Sequence, residues 1–452
     1  MTNDLTRGSI SKNLLYFTAP YLLSYFLQTL YGMADLFIIG QFDGADATTA
    51  VSIGSQVMHM ITVMIVGLAM GTTVGIGHAV GAGDKKRAKT AIGNTLTLFL
   101  TLSVVGTALL LLLVNPIVSV MSTPDEAVAG ARIYLIICFA GIPFITAYNI
   151  IASVFRGLGD SKSPMYFIAV ACVANIILDY VFIGAMDMGA AGAALGTTLS
   201  QALSVIISVV AVIKKKRELI PSKSDLHPQK SVMSELLRTG VPIALQDGLI
   251  QVAFIVITII ANKRGLTDAA AVGIVEKIIS FLFLVPSSLL SAVSALCAQN
   301  IGAGKQDRAD RTLRYALFAA VGFGVVVAVI MQFAAGFTVG LFQKDAAVVA
   351  AGEQYLKGYV FDVIFAGIHF SFSGYFCACN KSYISFIHNI SAIALVRIPG
   401  VYLMSVKFPD TLLPMGLATA MGSLVSAVIC AVAFAILKRN RMLQGKTQVN
   451  EE

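Results

Sequence analysis

The sequence predicts an all-α polytopic membrane protein: twelve transmembrane helices in two six-helix lobes related by a pseudo-twofold repeat. Three observations predict it. Of 452 residues, 57% are hydrophobic and 12% charged, about half the charged fraction of an ordinary soluble domain. So little polar surface cannot cover a water-facing core, whereas lipid accepts the apolar excess directly. The apolar residues come in runs of about 20 or more, long enough for helices that cross hydrocarbon, and not in the short alternating segments of a barrel. Finally, VGAGDKKRAKTA at 80–91 returns as IGAGKQDRADRT at 301–312.

Polar punctuation delimits the helices in order: 13–40, 48–79, 90–114, 127–155, 163–185, 190–213, 234–262, 268–300, 312–341, 347–379, 382–406 and 412–437. The first is expected to be retained, because the apolar run after MTNDLTRGSISK reaches Gly40, too long for a secretory signal. Most Lys and Arg lie near the termini and after even-numbered spans, as in KKR at 85–87, KKKR at 214–217 and KRNR at 438–441. Opposite loops such as QFDGADA (41–47) and STPDEAV (122–128) are acidic or neutral. By the positive-inside rule this is a multi-pass protein of the cytoplasmic (inner) membrane with both termini cytoplasmic. The net charge of +8 therefore reads as a topology signal, not as a nucleic-acid surface. The loop KKKRELIPSKSDLHPQK is polar and broken by proline, which reads as a linker. The expected domains are an N-terminal lobe at 1–213, a cytoplasmic linker at 214–232, a C-terminal lobe at 233–440 and a cytoplasmic tail at 441–452. Cys138, Cys172, Cys297, Cys377, Cys379 and Cys430 all lie in apolar segments and read as packing residues.

The offset of 221 residues between the two phrases also aligns AVSI (50–53) with AVGI (271–274) and FRGLGDS (155–161) with FCACNKS (376–382). Pro20 and Pro242 match within one residue. The duplicated unit is six helices, an even number, so the halves run parallel about an axis along the membrane normal, one plan of secondary transporters. Each GAG reads as a helix C-terminus, with glycine for the left-handed turn and basic residues to complement the dipole. It lacks the spacing of a phosphate loop.

These features resemble the multidrug and toxic compound extrusion (MATE) family along essentially the whole chain. The carriers are PYLLSYFLQTLYGMADLFIIG from Pro20, AVSIG from Ala50, VGAGDKKRA, FRGLGDSKSP, NIILDYVFIG from Asn175, GAAGAALGTTLSQ from Gly189, and the echoes VPIALQ and IGAGKQDRA. The resemblance implies two six-helix lobes around a cavity that opens alternately to each side, with outward drug movement driven by inward H+ or Na+.

Charged side chains within a span are costly and read as functional. Asp35 lies about six residues from the outer end of the first span, roughly 9 Å deep at the helical rise. Asp179 and Thr197 lie at nearly the same depth in spans five and six. Asn175 is one turn from Asp179 on the same face. Two carboxylates taken out of water can hold a shared proton near neutral pH, and the same oxygens are hard ligands for Na+. The family resemblance implies that Asp35, Asn175, Asp179 and Thr197 form the cation-coupling network, with Asn149 a further member. At offset 221 Asp35 maps to Val256, Asn175 to Val396 and Asp179 to Gly400, which confines this chemistry to the first half.

The second half carries its own intramembrane polar residues: Gln246, Asp247, Gln251, Glu276, Lys277, Asp362, His369, His388 and Arg397. Asp247 and Glu276 are expected to meet a cationic substrate, with Gln246, Gln251, Tyr31 and Met33 as further cavity candidates. The expected function is a cation-coupled antiporter exporting amphipathic, often cationic drugs or toxic metabolites by alternating access. The alternative is a flippase of a lipid-linked saccharide, which needs a cationic cavity. No HExxH, metal-ligand pair or nucleophile elbow points to an enzyme. No cofactor beyond the coupling ion is expected. The expected partners are small molecules and membrane lipid, with no nucleic acid and a monomeric state.

Overall fold

A computed structural model describes residues 4–215 and 220–451. Residues 216–219, which include the end of the KKKR run and part of the expected linker, lie outside the described residues. Every regular element is helical among the described residues. Eleven helices are long and apolar enough to span a membrane: α1 (Ile10–Phe42), α2 (Ala45–Gly81), α3 (Lys85–Leu112), α5 (Lys162–Ala185), α6 (Gly189–Lys214), α7 (Lys230–Asn262), α8 (Leu266–Gly302), α9 (Gln306–Gly340), α10 (Ala346–Ala378), α11 (Tyr383–Lys407) and α12 (Leu413–Arg441). The twelfth span, α4, is a bent pair, Asp125–Ala140 and Ile142–Gly157, that turns by 47°. Pro143, the second residue of its latter half, has no N–H for the preceding turn, which accounts for the break at Gly141.

The repeated phrase folds the same way twice. At the end of α2, Asp84 N–H returns to the Ala79 carbonyl (2.9 Å) and Gly83 N–H to Val80 (3.0 Å), with Gly83 at φ 72°. At the end of α8, Lys305 N–H returns to Asn300 (2.8 Å) and Gly304 N–H to Ile301 (2.9 Å), with Gly304 at φ 71°. Both are Schellman turns, which need a left-handed residue after the helix. The FRGLGDS and FCACNKS segments repeat the device. Asp160 returns to Phe155 and Lys381 to Phe376, with Gly159 at φ 84° and Asn380 at φ 55°. Asparagine replaces glycine in the second copy because its short polar side chain tolerates that region.

Two compact units emerge. The first comprises residues 4–8, 15–244 and 298–305, and the second residues 9–14, 245–297 and 306–451. In the first, Ile38 and Ile39 of α1, Val51 of α2, Tyr134, Leu135 and Phe139 of α4 and Ala193 of α6 form one buried apolar cluster. A second joins Tyr148, Phe155, Phe167 and Ala171 between α4 and α5. In the second unit the core runs through Ile257, Val275, Ile279, Tyr355, Tyr359 and Val401. Two spans leave regular α geometry for a π-turn: α5 over Tyr180–Ala185 and α11 over Ile393–Arg397. Such segments often occur at functional sites, and the first begins directly after Asp179.

Candidate functional site

Asp35 is 2% exposed, Asp179 and Asn175 fully buried, Asn149 2% and Thr197 8% exposed. Thr197 Oγ1 donates to Asp35 Oδ2 at 3.0 Å, which ties α6 to α1. Within α5, Asn175 Nδ2 donates to Asp179 Oδ1 at 3.4 Å, the i,i+4 pairing that its spacing predicts. Asp179 and Asn175 lie near enough to Asp35 to act on its carboxyl group electrostatically. Four of the five first-half residues singled out by depth and resemblance therefore meet in one cluster. Asn149 donates to the Ile145 carbonyl of its own helix at 2.9 Å, and no described contact joins it to Asp35.

The cluster is short of donors. Asp35 Oδ1, Asp179 Oδ2, Asn175 Oδ1 and Asn149 Oδ1 are buried without a hydrogen-bond partner among the described residues. Buried oxygens without partners are costly, and all four are hard acceptors. A proton between the carboxylates satisfies Asp35 and Asp179, and a small hard cation suits the oxygens of Asp35, Asp179 and Asn175; Asn149 lies apart from them. With carboxylate, amide and hydroxyl oxygens and no thiol or imidazole, the set suits Na+ better than a soft metal.

Three neighbours complete the site. Gly196, just before Thr197, packs so closely that a Cβ there would strike Asp179 Oδ1 and lie 3.5 Å from Asn175 Nδ2. Gln201, one turn along α6, donates to the Tyr31 hydroxyl at 3.3 Å while its own Oε1 lacks a partner. That places Tyr31 beside Asp35, one turn away on α1. Sequence reasoning passed over Gly196, which has no chemistry of its own. It also passed over Gln201, although the i,i+4 step from Thr197 was there to be read. Met33 is 44% exposed and makes none of these contacts.

In the second unit, Arg397 is 6% exposed, pairs with Asp362 at 3.4 Å and donates to the Tyr359 hydroxyl at 2.5 Å. Its guanidinium also lies 5.5 Å from the Phe254 ring centre. Glu276 accepts from Thr258 at 3.0 Å, and Lys277 is exposed. His388 sits between Ser373 (3.0 Å) and Ser426 (3.2 Å), with the His369 ring 5.4 Å away. His369, Asn389, Arg397 and Ser423 line a cavity of about 10 Å³, roughly the room that one water centre needs. Gln246 is fully buried with both amide atoms unpartnered, and Asp247 and Gln251 are half-buried nearby on α7.

A duplicated six-helix unit, with a carboxylate pair meeting an amide and a hydroxyl in the first copy, defines a polytopic membrane protein. The chain belongs to the MatE family, whose pattern matches residues 20–181 and 242–403, one stretch in each half. It is 31% identical over 402 residues to the probable multidrug resistance protein YpnP of Bacillus subtilis (strain 168), covering 89% of this chain and 90% of that one. It is 24% identical to the multidrug export protein MepA of Staphylococcus saprophyticus, covering 98% of each chain. Its fold is that of a solved structure of MATE in complex with MaL6, with TM-score 0.90, 22% identity and coverage of 97% and 100%. It is equally similar to the outward-facing conformation of a multidrug resistance MATE family transporter of the MOP superfamily, with TM-score 0.90 and 22% identity over 97% of this chain and 99% of that one.

Proposed function

We propose that this protein is a cation-coupled antiporter, driven by H+ or Na+, that exports amphipathic, often cationic small molecules from the cell by alternating access. The supporting observation is the buried Asp35 and Asp179 pair, whose free oxygens have no protein donor. Asp35, Asp179, Asn175 and Thr197 take the coupling ion, with Asn149 as a more distant acceptor. Loading joins α1, α5 and α6 through one ion, and unloading leaves two carboxylates to repel each other. Because the ion binds one arrangement better than the other, it shifts the balance between them. Export relatives such as MepA support drugs as the substrate class.

The same proposal places both termini on the cytoplasmic side of the inner membrane. It divides the chain into lobes at 1–213 and 233–440, a linker at 214–232 and a tail at 441–452. Asp247 and Glu276, with Gln246, Gln251, Tyr31 and Met33, are the residues assigned to the substrate. The protein works as a monomer without a further cofactor, and it is not an enzyme.

The test is efflux of a fluorescent cationic dye from proteoliposomes under an imposed pH or Na+ gradient, for the native protein and Asp35→Asn. One gradient should drive the native protein and not the variant. If neither gradient moves dye, a lipid-linked saccharide flippase becomes the better reading.

A further inference from the structure

The second copy holds a buried cation of its own, Arg397, and a single turn decides where that residue falls in the repeat. The helices α5 and α11 start 221 residues apart, at Lys162 and Tyr383. The matched family stretches are 222 apart at both ends, 20 with 242 and 181 with 403. One residue more is therefore taken up inside α11. Its π-turn over Ile393–Arg397 is where that residue goes, because an i→i+5 turn holds one residue more than an α turn. The π-turn of α5 starts only at Tyr180, beyond Asn175. Past the slip, Arg397 is the twin of Asn175, and Val401 that of Asp179. At the same step, which also relates Pro20 to Pro242, Ile257 is the twin of Asp35. Both carboxylates are thus replaced by fully buried aliphatics, and the amide beside them by a guanidinium.

The surroundings of Arg397 are built to hold a cation. It pairs with the fully buried Asp362 of α10 at 3.4 Å and donates to the Tyr359 hydroxyl. Glu276 of α8 lies near enough to act on it electrostatically. The Phe254 ring of α7 adds a favourable π surface, its centre 5.5 Å from the guanidinium carbon. Gly422 of α12 packs so closely that a Cβ there would lie 2.8 Å from the Arg397 Cβ, much as Gly196 of α6 makes room for Asp179.

We propose that Arg397 is a tethered cation: it takes, in the second copy, the part that the coupling ion takes in the first, and so keeps that copy from binding a mobile ion. This rests on the coupling assigned to Asp35 and Asp179. A guanidinium keeps its proton in proteins and cannot leave its own chain. It neutralises Asp362 permanently, where a mobile ion would do so only while bound. The asymmetry of the repeat then has a direct meaning. One copy exchanges its cation with water, and the other carries the same charge in its sequence. Removing the guanidinium while keeping Asp362 turns the second copy into a site for a small cation.

The test follows the thermal midpoint of the full-length protein in detergent with a thiol-reactive dye, since five of the six cysteines are buried. NaCl or guanidinium chloride is titrated at millimolar concentrations against choline chloride of equal ionic strength, at mildly alkaline pH to limit competition from protons. In Asp35→Asn, which silences the first copy, neither cation should shift the midpoint. In Asp35→Asn with Arg397→Asn, Na+ or guanidinium should raise it with saturation, and urea, the neutral counterpart of guanidinium, should not. Adding Asp362→Asn should abolish the rise. Arg397→Lys in the Asp35→Asn background keeps the charge and should stay flat, which a merely structural arginine does not require. Absence of a saturable rise with either cation in the Arg397→Asn variant overturns the proposal. The Asp35→Asn arm keeps Arg397 in place and decides the matter if no Arg397 variant folds: a flat response supports the tethered cation, and a response that Asp362→Asn abolishes overturns it. A response in Asp35→Asn that survives Asp362→Asn is instead a failure of the first-copy assignment, so the two failures are distinguishable.

Discussion

Asp35 makes one strong contact, the hydrogen bond from Thr197, and leaves its second oxygen without a donor. An asparagine at that position still accepts from Thr197 and removes a buried charge. Asp35→Asn should therefore hold or raise the thermal midpoint while gradient-driven transport falls tenfold or more. The chain has no tryptophan, but five of its six cysteines are buried, so a thiol-reactive dye reports unfolding. Gly196→Ala separates space from charge: its methyl group falls on Asp179 Oδ1, so transport should drop to the level of Asp179→Asn with no ionisable group changed. Equal transport in Gly196→Ala and the native protein would remove Asp179 from the mechanism. Depth counting alone brought Asp35, Asp179 and Thr197 into one layer, because helical rise is fixed. Gly196 was invisible to it, since its role is the absence of atoms. The Asp362 and Arg397 pair was equally hidden, because it joins two spans whose facing sides only packing decides.

Two elements outside the spans are tied down more firmly than their loop character suggests. Arg264, after α7, pairs with Asp268 at 2.7 Å and donates to the carbonyls of Ser405 (2.7 Å), Phe408 (3.1 Å), Pro409 (2.7 Å) and Thr411 (3.4 Å). Arg264→Ala should cost about 3 kcal/mol by leaving these acceptors unpaired. Lys should not rescue it, having no planar fork; full stability of either variant would contradict the assignment. The described part of the expected linker is docked on α3. Asn94, fully buried, accepts from Gln229 N–H at 2.7 Å and donates to the Asp225 carbonyl at 3.3 Å. Thr97 reaches the Leu226 carbonyl at 2.8 Å. Composition marked this stretch as a loop, but a side chain that binds backbone leaves no periodic signal.

The Asp225 carboxyl is held below its usual value, first by the Ser222 hydroxyl and then by the Ser222 N–H. A depressed carboxylate stabilises the docked loop at pH values above its unfolded value of about 3.9, and that contribution is lost as pH falls through the folded value. Hydrogen exchange at 222–229 should show protection at neutral pH that declines below about pH 4. Asp225→Asn should be less protected at neutral pH and lack that decline.

At the scale of the whole molecule, duplication is the organising fact. The repeated six helices give matched turns at 83 and 304 and at 159 and 380; the first pair was legible because a left-handed turn favours glycine, while the second showed in the sequence only as an aligned repeat. The bend of α4 and the π-turns of α5 and α11 were not read, since they arise from how a span meets its neighbours. The two copies have diverged where chemistry is concerned: one holds a carboxylate pair, the other an arginine paired with an aspartate. The proposed coupling through the first copy has a reciprocal consequence, because an ion that drives substrate must itself be driven by substrate. The most direct measurement is therefore ion counterflow. A dye gradient is imposed across proteoliposomes without any ion gradient, and H+ and Na+ movements are recorded for the native protein and Asp35→Asn. One ion should move opposite to the dye in the native protein and neither in the variant. Dye movement without any ion counterflow in the native protein, or full counterflow in Asp35→Asn, would contradict coupling at this site.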